Sequence, residues 1–316
     1  MAKIFIDGQV GTTGLQILDR LRRRPELSLL EIPFEDRKNQ GIKKEYLNSA
    51  DLVILCLPDE ASRESVGMIT NDHVKVIDAS TAFRTDPDWV YGIPELHPHQ
   101  RDKIAGSRFV ANPGCYASGF LLAIAPLIRA GIVPEDYPVT VQAVSGYSGG
   151  GRQLIERYES QAKDHPEALW VYRPYGLNLA HKHLPEMQKF AGLDHPPVFM
   201  PSVAHIETGM LVTVPLVVRM LKSGTTPESI HEILMESYQQ EAMVDVFPLN
   251  DFDQLDRGFL SLSECNGTNR LELFVFGHTD HLQITARLDN LGKGASGAAV
   301  QNLNIMLGIE ESTGLI

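Results

Sequence analysis

At 316 residues the chain is long enough for two domains of roughly 150 residues, each with its own buried core. With 43% hydrophobic and 22% charged residues and 26 glycines it has the composition of a soluble globular protein, and its formal net charge of -12 excludes nucleic acid, because an acidic surface repels a phosphate backbone. No run reaches the roughly 18 apolar residues of a membrane span, and three widely spaced cysteines, Cys56, Cys115 and Cys265, neither build a disulfide framework nor offer metal-ligand spacing.

The opening "MAKIFIDG" enters a strand pattern at once, without a charged leader, and a cytoplasmic location is expected. A glycine-rich turn follows, then "LQILDRLRRR", whose Leu15, Ile17, Leu18 and Leu21 fall mostly on one helical face. "LSLLEIPF", "ADLVILCLP" and "VKVIDAS" read as three further strands, apolar throughout as in a parallel sheet covered on both sides. In the turn, Gly8, Gly11 and Gly14 form G-x-x-G-x-x-G between strand and helix. Glycine lets backbone N–H groups approach a pyrophosphate, and the helix N-terminus adds partial positive charge. The second strand runs into "FEDRKN", where Glu35 and Asp36 suit a ribose hydroxyl and Arg37 and Lys38 suit an added phosphate. The two adjacent cations, with the Thr12 and Thr13 hydroxyls, favour NADP(H).

"NPGC" forces a sharp turn ahead of "YASGFLLAIAPLIRAG", which reads as a helix, so Cys115 emerges where the dipole and the first-turn N–H groups favour thiolate. The alternative is a structural cysteine, the reading that fits Cys56 and Cys265. A thiolate nucleophile needs a proton-handling partner, and "HKHLPE" offers His181 and His183. In an extended or turn-like stretch only one of the rings can face the thiol, and the sequence leaves open which. Lys182 and Glu186 either hold a substrate carboxylate and orient a ring or form a solvated pair. "SGYSGGGR" exposes N–H groups in a nest-like concavity, adds the hydroxyls of Ser145 and Ser148, and ends on Arg152, a set that suits phosphate. Arg84 is a second candidate for an anion.

From about residue 136 the strands grow longer and richer in Val and Thr: "YPVTVQAVSG", "PPVFMPSVAH", "GMLVTVPLVVRML", "LELFVFGH" and "HLQITARLDN". "TPESIHEILMESYQQ" reads as a helix capped by Thr226, with Pro227 in its first position. The final "KGASGAAVQNLNIMLG" is predicted to be a helix that returns to the first domain. The fold class is therefore α/β: a doubly wound dinucleotide-binding domain (1–115, with 295–316) plus an α+β domain with a mostly antiparallel sheet (116–294) that carries substrate and oligomer contacts.

The strings "DASTAFR", "VYGIPELHP", "NPGCYASG", "VSGYSGGGR", "HKHLPEMQ" and "DNLGKGASGAAVQNLN", in that order over nearly the whole chain, resemble the N-acetyl-γ-glutamyl-phosphate reductases in their shorter form, within the aspartate-semialdehyde-dehydrogenase-like group. Two departures are small: Ser118 stands where many members have threonine, and the turn reads "GQVGTTG" in place of the commoner "GASGYTG". The resemblance implies NADPH-dependent reduction of a small acyl phosphate to a semialdehyde with release of phosphate. Cys115 would hold the acyl group as a thioester, and one of His181 and His183 would be the acid/base. It further implies that Ser145, Gly146, Ser148, Gly149 and Arg152 bind substrate or leaving phosphate, that Asn290, Lys293 and Gly294 lie close to the nicotinamide, and that the protein is a homo-oligomer. No metal is implied. Two alternatives stand beside this reading: aspartate-semialdehyde dehydrogenase, against which "HKHLPE" and "YGIPEL" argue, and a non-catalytic nucleotide-sensing protein.

Overall fold

A computed structural model of the chain describes residues 1–37 and 39–315, which divide into two compact units. The first comprises residues 1–114 and the C-terminal segment from Ala295. Its elements are β1 (Ala2–Asp7), α1 (Thr12–Leu21), β2 (Leu27–Leu30), α2 (Gln40–Ser49), β3 (Leu52–Leu55), α3 (Asp59–Met68), β4 (Lys75–Asp78), β5 (Val90–Tyr91), α4 (Gln100–Gly106), β6 (Phe109–Ala111) and the C-terminal helix Gly297–Leu307. The six strands lie in the order β2-β1-β3-β4-β6-β5, with every pairing parallel. Ile4, Phe5 and all four residues of β3 are buried, as a sheet covered on both faces requires. The strand order reverses between β1 and β3, and the glycine turn leaves the carboxyl end of β1 at that switch point, where doubly wound sheets bind ligands.

Two local expectations are corrected. β2 stops at Leu30 rather than running through "EIPF"; Pro33 has no N–H for a ladder, and the chain turns into a single 3-10 turn at Phe34–Asp36. Helix α1 begins at Thr12, three residues before the predicted start, and buries Gly14, Ile17, Leu18 and Leu21 while Leu15 is exposed. The C-terminal helix packs by polar as well as apolar contacts: Asn302 Nδ2 donates to the Gly92 carbonyl at 2.9 Å and Gln301 Nε2 to Glu95 Oε1 at 2.7 Å.

The second unit, residues 115–294, holds α5 (Cys115–Arg129), β7 (Thr140–Gly146), α6 (Arg152–Asp164), β8 (Tyr172–Pro174), α7 (Leu184–Ala191), β9 (Val198–Ala204), β10 (Met210–Val217), α8 (Pro227–Tyr238), β11 (Val244–Val246), β12 (Leu271–Gly277) and β13 (His281–Leu288). The sheet order is β11-β12-β13-β10-β7-β9-β8. It is mixed rather than simply antiparallel, since β7 pairs with β9 and β11 with β12 in parallel while the other neighbours run antiparallel. The β7–β9 pair is parallel because α6 and α7 lie in the connection between the two strands. Thr226 caps α8 by accepting from the Ser229 N–H, with Pro227 at the first position as read from the sequence.

Helix α5 is apolar and buried from Tyr116 to Ile128. It approaches the sheet so closely at Gly119 that a Cβ there would lie 2.8 Å from Val212 Cγ2. Pro126 inside the helix has no N–H to offer the Leu122 carbonyl four residues back, and the Tyr238 hydroxyl of α8 donates to that carbonyl at 2.7 Å. Among the described residues no helix is long and apolar enough to cross a membrane.

Candidate active site

The glycine turn of the first unit has the shape of a phosphate cradle. Gly8 has φ +88°, and a Cβ there would stand 2.3 Å from the Cys56 carbonyl oxygen; a Cβ on Gly14 would stand 2.5 Å from the Gly8 carbonyl oxygen. Gly11 closes the turn with an N–H donated to that carbonyl at 3.0 Å and occupies the N-cap of α1. No side chain caps this helix and no acid sits in its first turn, so its N–H groups and dipole face outward uncompensated by protein charge. Thr12 and Thr13 are half-buried at that end. Asp7, which would repel an anion at the strand end, is neutralised by Lys43 Nζ at 2.7 Å and accepts from Ser65 at 3.0 Å, a detail no sequence motif signalled. The residues thus fit a dinucleotide pyrophosphate. Arg37 lies over the exposed Phe34 ring at 5.0 Å with its Nε unpartnered; Lys38 lies outside the described residues.

In the second unit a cleft of about 390 Å³ is lined by Cys115 and Tyr116 of α5, by Ser145, Gly146, Gly149 and Gly150 of the second glycine turn, by α6 and β8, and by His181 and Lys182. Cys115 is the first residue of α5, at the positive end of a helix of 15 residues. The approach on its flank is tight: a Cβ on Gly294 would lie 2.7 Å from Cys115 Cβ. Lys293 is buried beside it. Asn290, also buried, accepts the Gly209 N–H at 2.8 Å and donates to Ser148 Oγ at 3.0 Å, which ties the glycine turn to the segment before Gly294.

The two imidazoles pack edge to face with centroids 4.8 Å apart, each 5.8 Å from the Tyr116 ring. His181 lines the cleft, whereas His183 is 5% exposed at the N-cap of α7. The His183 N–H donates to His181 Nδ1 at 3.2 Å, so the neutral His181 ring carries its proton on Nε2. The Tyr175 hydroxyl donates to Tyr116 Oη at 3.1 Å. Burial pushes the Tyr175 phenol up to about 12 and Tyr116 well above its ordinary value, so both remain protonated donors at neutral pH.

Three predicted anion binders stand outside the cleft lining, the first being Ser148, which is buried and accepts from Asn290. The Arg152 side chain is 75% exposed and bonds Glu156 at 2.7 Å along α6. Arg84 is buried in the first unit, where its Nε donates to the Asn112 carbonyl at 3.0 Å. In their place the cleft presents Arg157 and Arg173, which sequence reading missed. Arg157 lies five residues beyond Arg152 on α6, a helix the sequence reading does not include, and β8, which carries Arg173, is too short to show any periodicity. Among the described residues no group of three or more His, Cys, Asp or Glu side chains could hold a metal ion.

Residues 3–104 match the semialdehyde dehydrogenase NAD binding domain and residues 115–290 the semialdehyde dehydrogenase dimerisation domain. The chain is 50% identical over 318 residues to N-acetyl-gamma-glutamyl-phosphate reductase 2 of Nostoc sp., covering 99% of both chains, and 52% identical over 310 residues to the N-acetyl-gamma-glutamyl-phosphate reductase of Allorhizobium ampelinum, covering 97% of this chain and 99% of the relative. Aspartate semialdehyde dehydrogenase II from Vibrio cholerae shares the fold with a TM-score of 0.74 at 18% identity, covering 98% of this chain and 99% of that one. A nucleotide-binding α/β unit followed by a thiol-bearing unit of this sheet order is thus matched over its full length, and the chain belongs to the N-acetyl-γ-glutamyl-phosphate reductase family of semialdehyde dehydrogenases.

Proposed function

We propose that this protein reduces N-acetyl-γ-glutamyl phosphate to N-acetylglutamate 5-semialdehyde with NADPH, releasing phosphate, as a step of arginine biosynthesis in the cytoplasm. The observation that carries this reading is the placement of Cys115, at the first turn of α5, in one cleft with His181 and Ser145. The thiolate attacks the acyl carbon; the S–C bond forms, the C–O bond to phosphate breaks, and phosphate leaves with its electron pair. N–H groups at the start of α5 stabilise the oxyanion of that step, and Ser145 binds the phosphate; the N–H groups of Gly146, Tyr147 and Ser148 are donated to the Gly209, Ile206 and Glu207 carbonyls, so Gly146 and Gly149 give the phosphate room rather than donors. Gly8, Gly11 and Gly14, with Thr12 and Thr13, hold the dinucleotide pyrophosphate, and Arg37 with Lys38 takes the 2′-phosphate. NADPH, when bound, supplies the hydride that brings the acyl carbon to the aldehyde level. Asn290, Lys293 and Gly294 then shape the nicotinamide side of the thiol. His181 donates its Nε2–H as a hydrogen bond to the oxyanion of both stages, and the thiolate departs as the electron pair returns to sulfur; His183 fixes the His181 ring by its backbone N–H.

We also place a second copy of the chain on the open face of the second unit's sheet, where Val198 and Met200 are 43% and 47% exposed and Pro215 on β10 is exposed as well. The activity is tested in the oxidative direction with N-acetylglutamate semialdehyde, NADP⁺ and phosphate. Native protein is expected to turn over, and Cys115→Ser to lose about 10³-fold or more in kcat. Equal rates for the two would refute the thioester route.

A further inference from the structure

The mechanism above leaves cations of the cleft without a task. Arg157 on α6 and Arg173 on β8 both line it, and their guanidinium carbons lie 5.7 Å and 4.0 Å from the centroid of the same Trp170 ring. Neither forms an ion pair among the described residues. Glu156, next to Arg157 in sequence, is engaged by Arg152 at 2.7 Å. The buried Tyr158, edge-on to Trp170 with centroids 5.3 Å apart, fixes the ring on which both arginines rest. Two like charges beside one aromatic ring repel each other. In a chain with 40 acidic and 28 basic residues, leaving such a pair without a carboxylate creates a local positive spot that an anionic ligand relieves.

The sheet register fixes where that spot lies. Ser145 on β7 is the direct partner of Val203 on β9, and Val203 of Arg173 on β8, so the three share one sheet face and all line the cleft. Arg173 therefore starts two strand spacings, about 10 Å, from Ser145. Ser145 belongs to the thiol end, since it interacts with the hydroxyl of Tyr116, the residue after Cys115. The phosphate departs from the carbon that Cys115 attacks, so it occupies that end. A carboxylate four bonds farther along the chain stands about 5 Å from the acyl carbon, on the way to a guanidinium that reaches back from β8.

We propose that Arg173, with Arg157 beside it, binds the carboxylate at the remote end of the acyl chain and thereby selects substrates that carry one. The planar fork of Arg173 suits a bidentate carboxylate, and the Trp170 face pre-orients it. This inference rests on the acyl-phosphate reading of the site. The cleft also holds Lys182, a flexible point charge, as the competing partner.

The test compares N-acetylglutamate semialdehyde with 4-acetamidobutanal, the same chain without its carboxylate, in the oxidative direction with NADP⁺ and phosphate. Native protein should prefer the carboxylated aldehyde in kcat/KM by about 100-fold or more. Arg173→Met should lower kcat/KM for that aldehyde by about 100-fold, chiefly through KM, and bring the ratio between the two aldehydes to within about tenfold of unity. Arg157→Met should lower the ratio about tenfold, and Arg173→Lys, which keeps charge but not the fork, should restore part of it. The ratio is internal to each variant, so a smaller folded fraction scales both aldehydes alike and does not imitate the effect. An unchanged ratio in Arg173→Met overturns the proposal. So does a raised KM for phosphate with the ratio intact, which would make the pair a phosphate clamp, or a collapse seen in Lys182→Met and not in Arg173→Met. Native protein that oxidises neither aldehyde would instead remove the acyl-phosphate reading itself.

Discussion

The two glycine-rich turns are held in place by different neighbours. At residues 8–14 the excluded neighbours are backbone atoms: the Cys56 carbonyl faces Gly8 at 2.3 Å and the Gly8 carbonyl faces Gly14 at 2.5 Å. At residues 146–151 the first glycine is backed in the same way, the Glu207 carbonyl facing Gly146 at 2.4 Å, but a Cβ on Gly149 would meet only side-chain atoms, Ser145 Oγ and Asn290 Nδ2, each at 3.2 Å, and one on Gly150 would meet the Leu154 side chain. Backbone cannot step aside, whereas a side chain can rotate. The first turn is therefore held by backbone at both ends, while the second is held where it leaves β7 and can yield at Gly149 and Gly150.

Each turn also has a cysteine for company, and the two thiols give the sharpest contrast. Burial, with the charges of Asp78 and Asp7 adding to it, pushes Cys56 up to about 12, so at pH 8 about one molecule in 10⁴ carries thiolate there. Burial also raises Cys265. Cys115, at a helix N-terminus and lining a cleft, is expected to react with iodoacetamide at pH 8 about a thousandfold faster than Cys56, with peptide mass spectrometry reading the order of labelling. Labelling of Cys56 at a comparable rate would erase the distinction between the two sites.

A smaller effect separates the turns themselves. Gly8→Ala must distort a φ of +88° against a fixed carbonyl, and should weaken NADPH binding by roughly 10- to 100-fold in a fluorescence titration. Gly149→Ala asks two side chains to yield a few tenths of an ångström and should change NADPH affinity by less than about threefold, with its effect confined to KM for phosphate. Equal losses of NADPH affinity would mean that both turns are locked alike.

The same contrast explains what the sequence disclosed. The β1–turn–α1 unit is local, its glycines answer to atoms within the turn or on the adjacent strand, and it was legible as it stands; only the helix start, displaced to Thr12, and the outward Leu15 departed from expectation. Cys115 was legible because Asn112, Pro113 and Gly114 force the turn before a buried helix. The far end of the cleft was not. Arg157 and Arg173 become neighbours through the Trp170 ring and the β7–β9–β8 register, and register between strands far apart in the chain leaves no periodic mark. Arg152, adjacent to the glycines in sequence, is the anion binder that the local pattern offers, yet the helix that starts there turns its side chain to Glu156 and brings the residue five positions on into the cleft. The parallel β7–β9 pair escaped notice because Val/Thr-rich strands read alike in either direction.

The helices that start the two sites differ as well. Helix α1 is uninterrupted, while α5 carries Pro126 and depends on the Tyr238 hydroxyl to satisfy the Leu122 carbonyl that proline leaves open. Tyr238→Phe keeps the ring and deletes the donor, so a buried carbonyl at the middle of α5 loses its partner, which costs about 1–2 kcal/mol. Denaturant unfolding should register that loss, while NADPH affinity, governed by a turn in the other unit, stays within about twofold of native. The thiol lies at the far end of α5 from the repaired turn, so kcat should fall by no more than about threefold if α5 is held chiefly by its apolar contacts, such as the close approach of Gly119 to Val212. A large drop in kcat with unaltered stability would show instead that the Tyr238 bond sets the position of Cys115 rather than the strength of the helix.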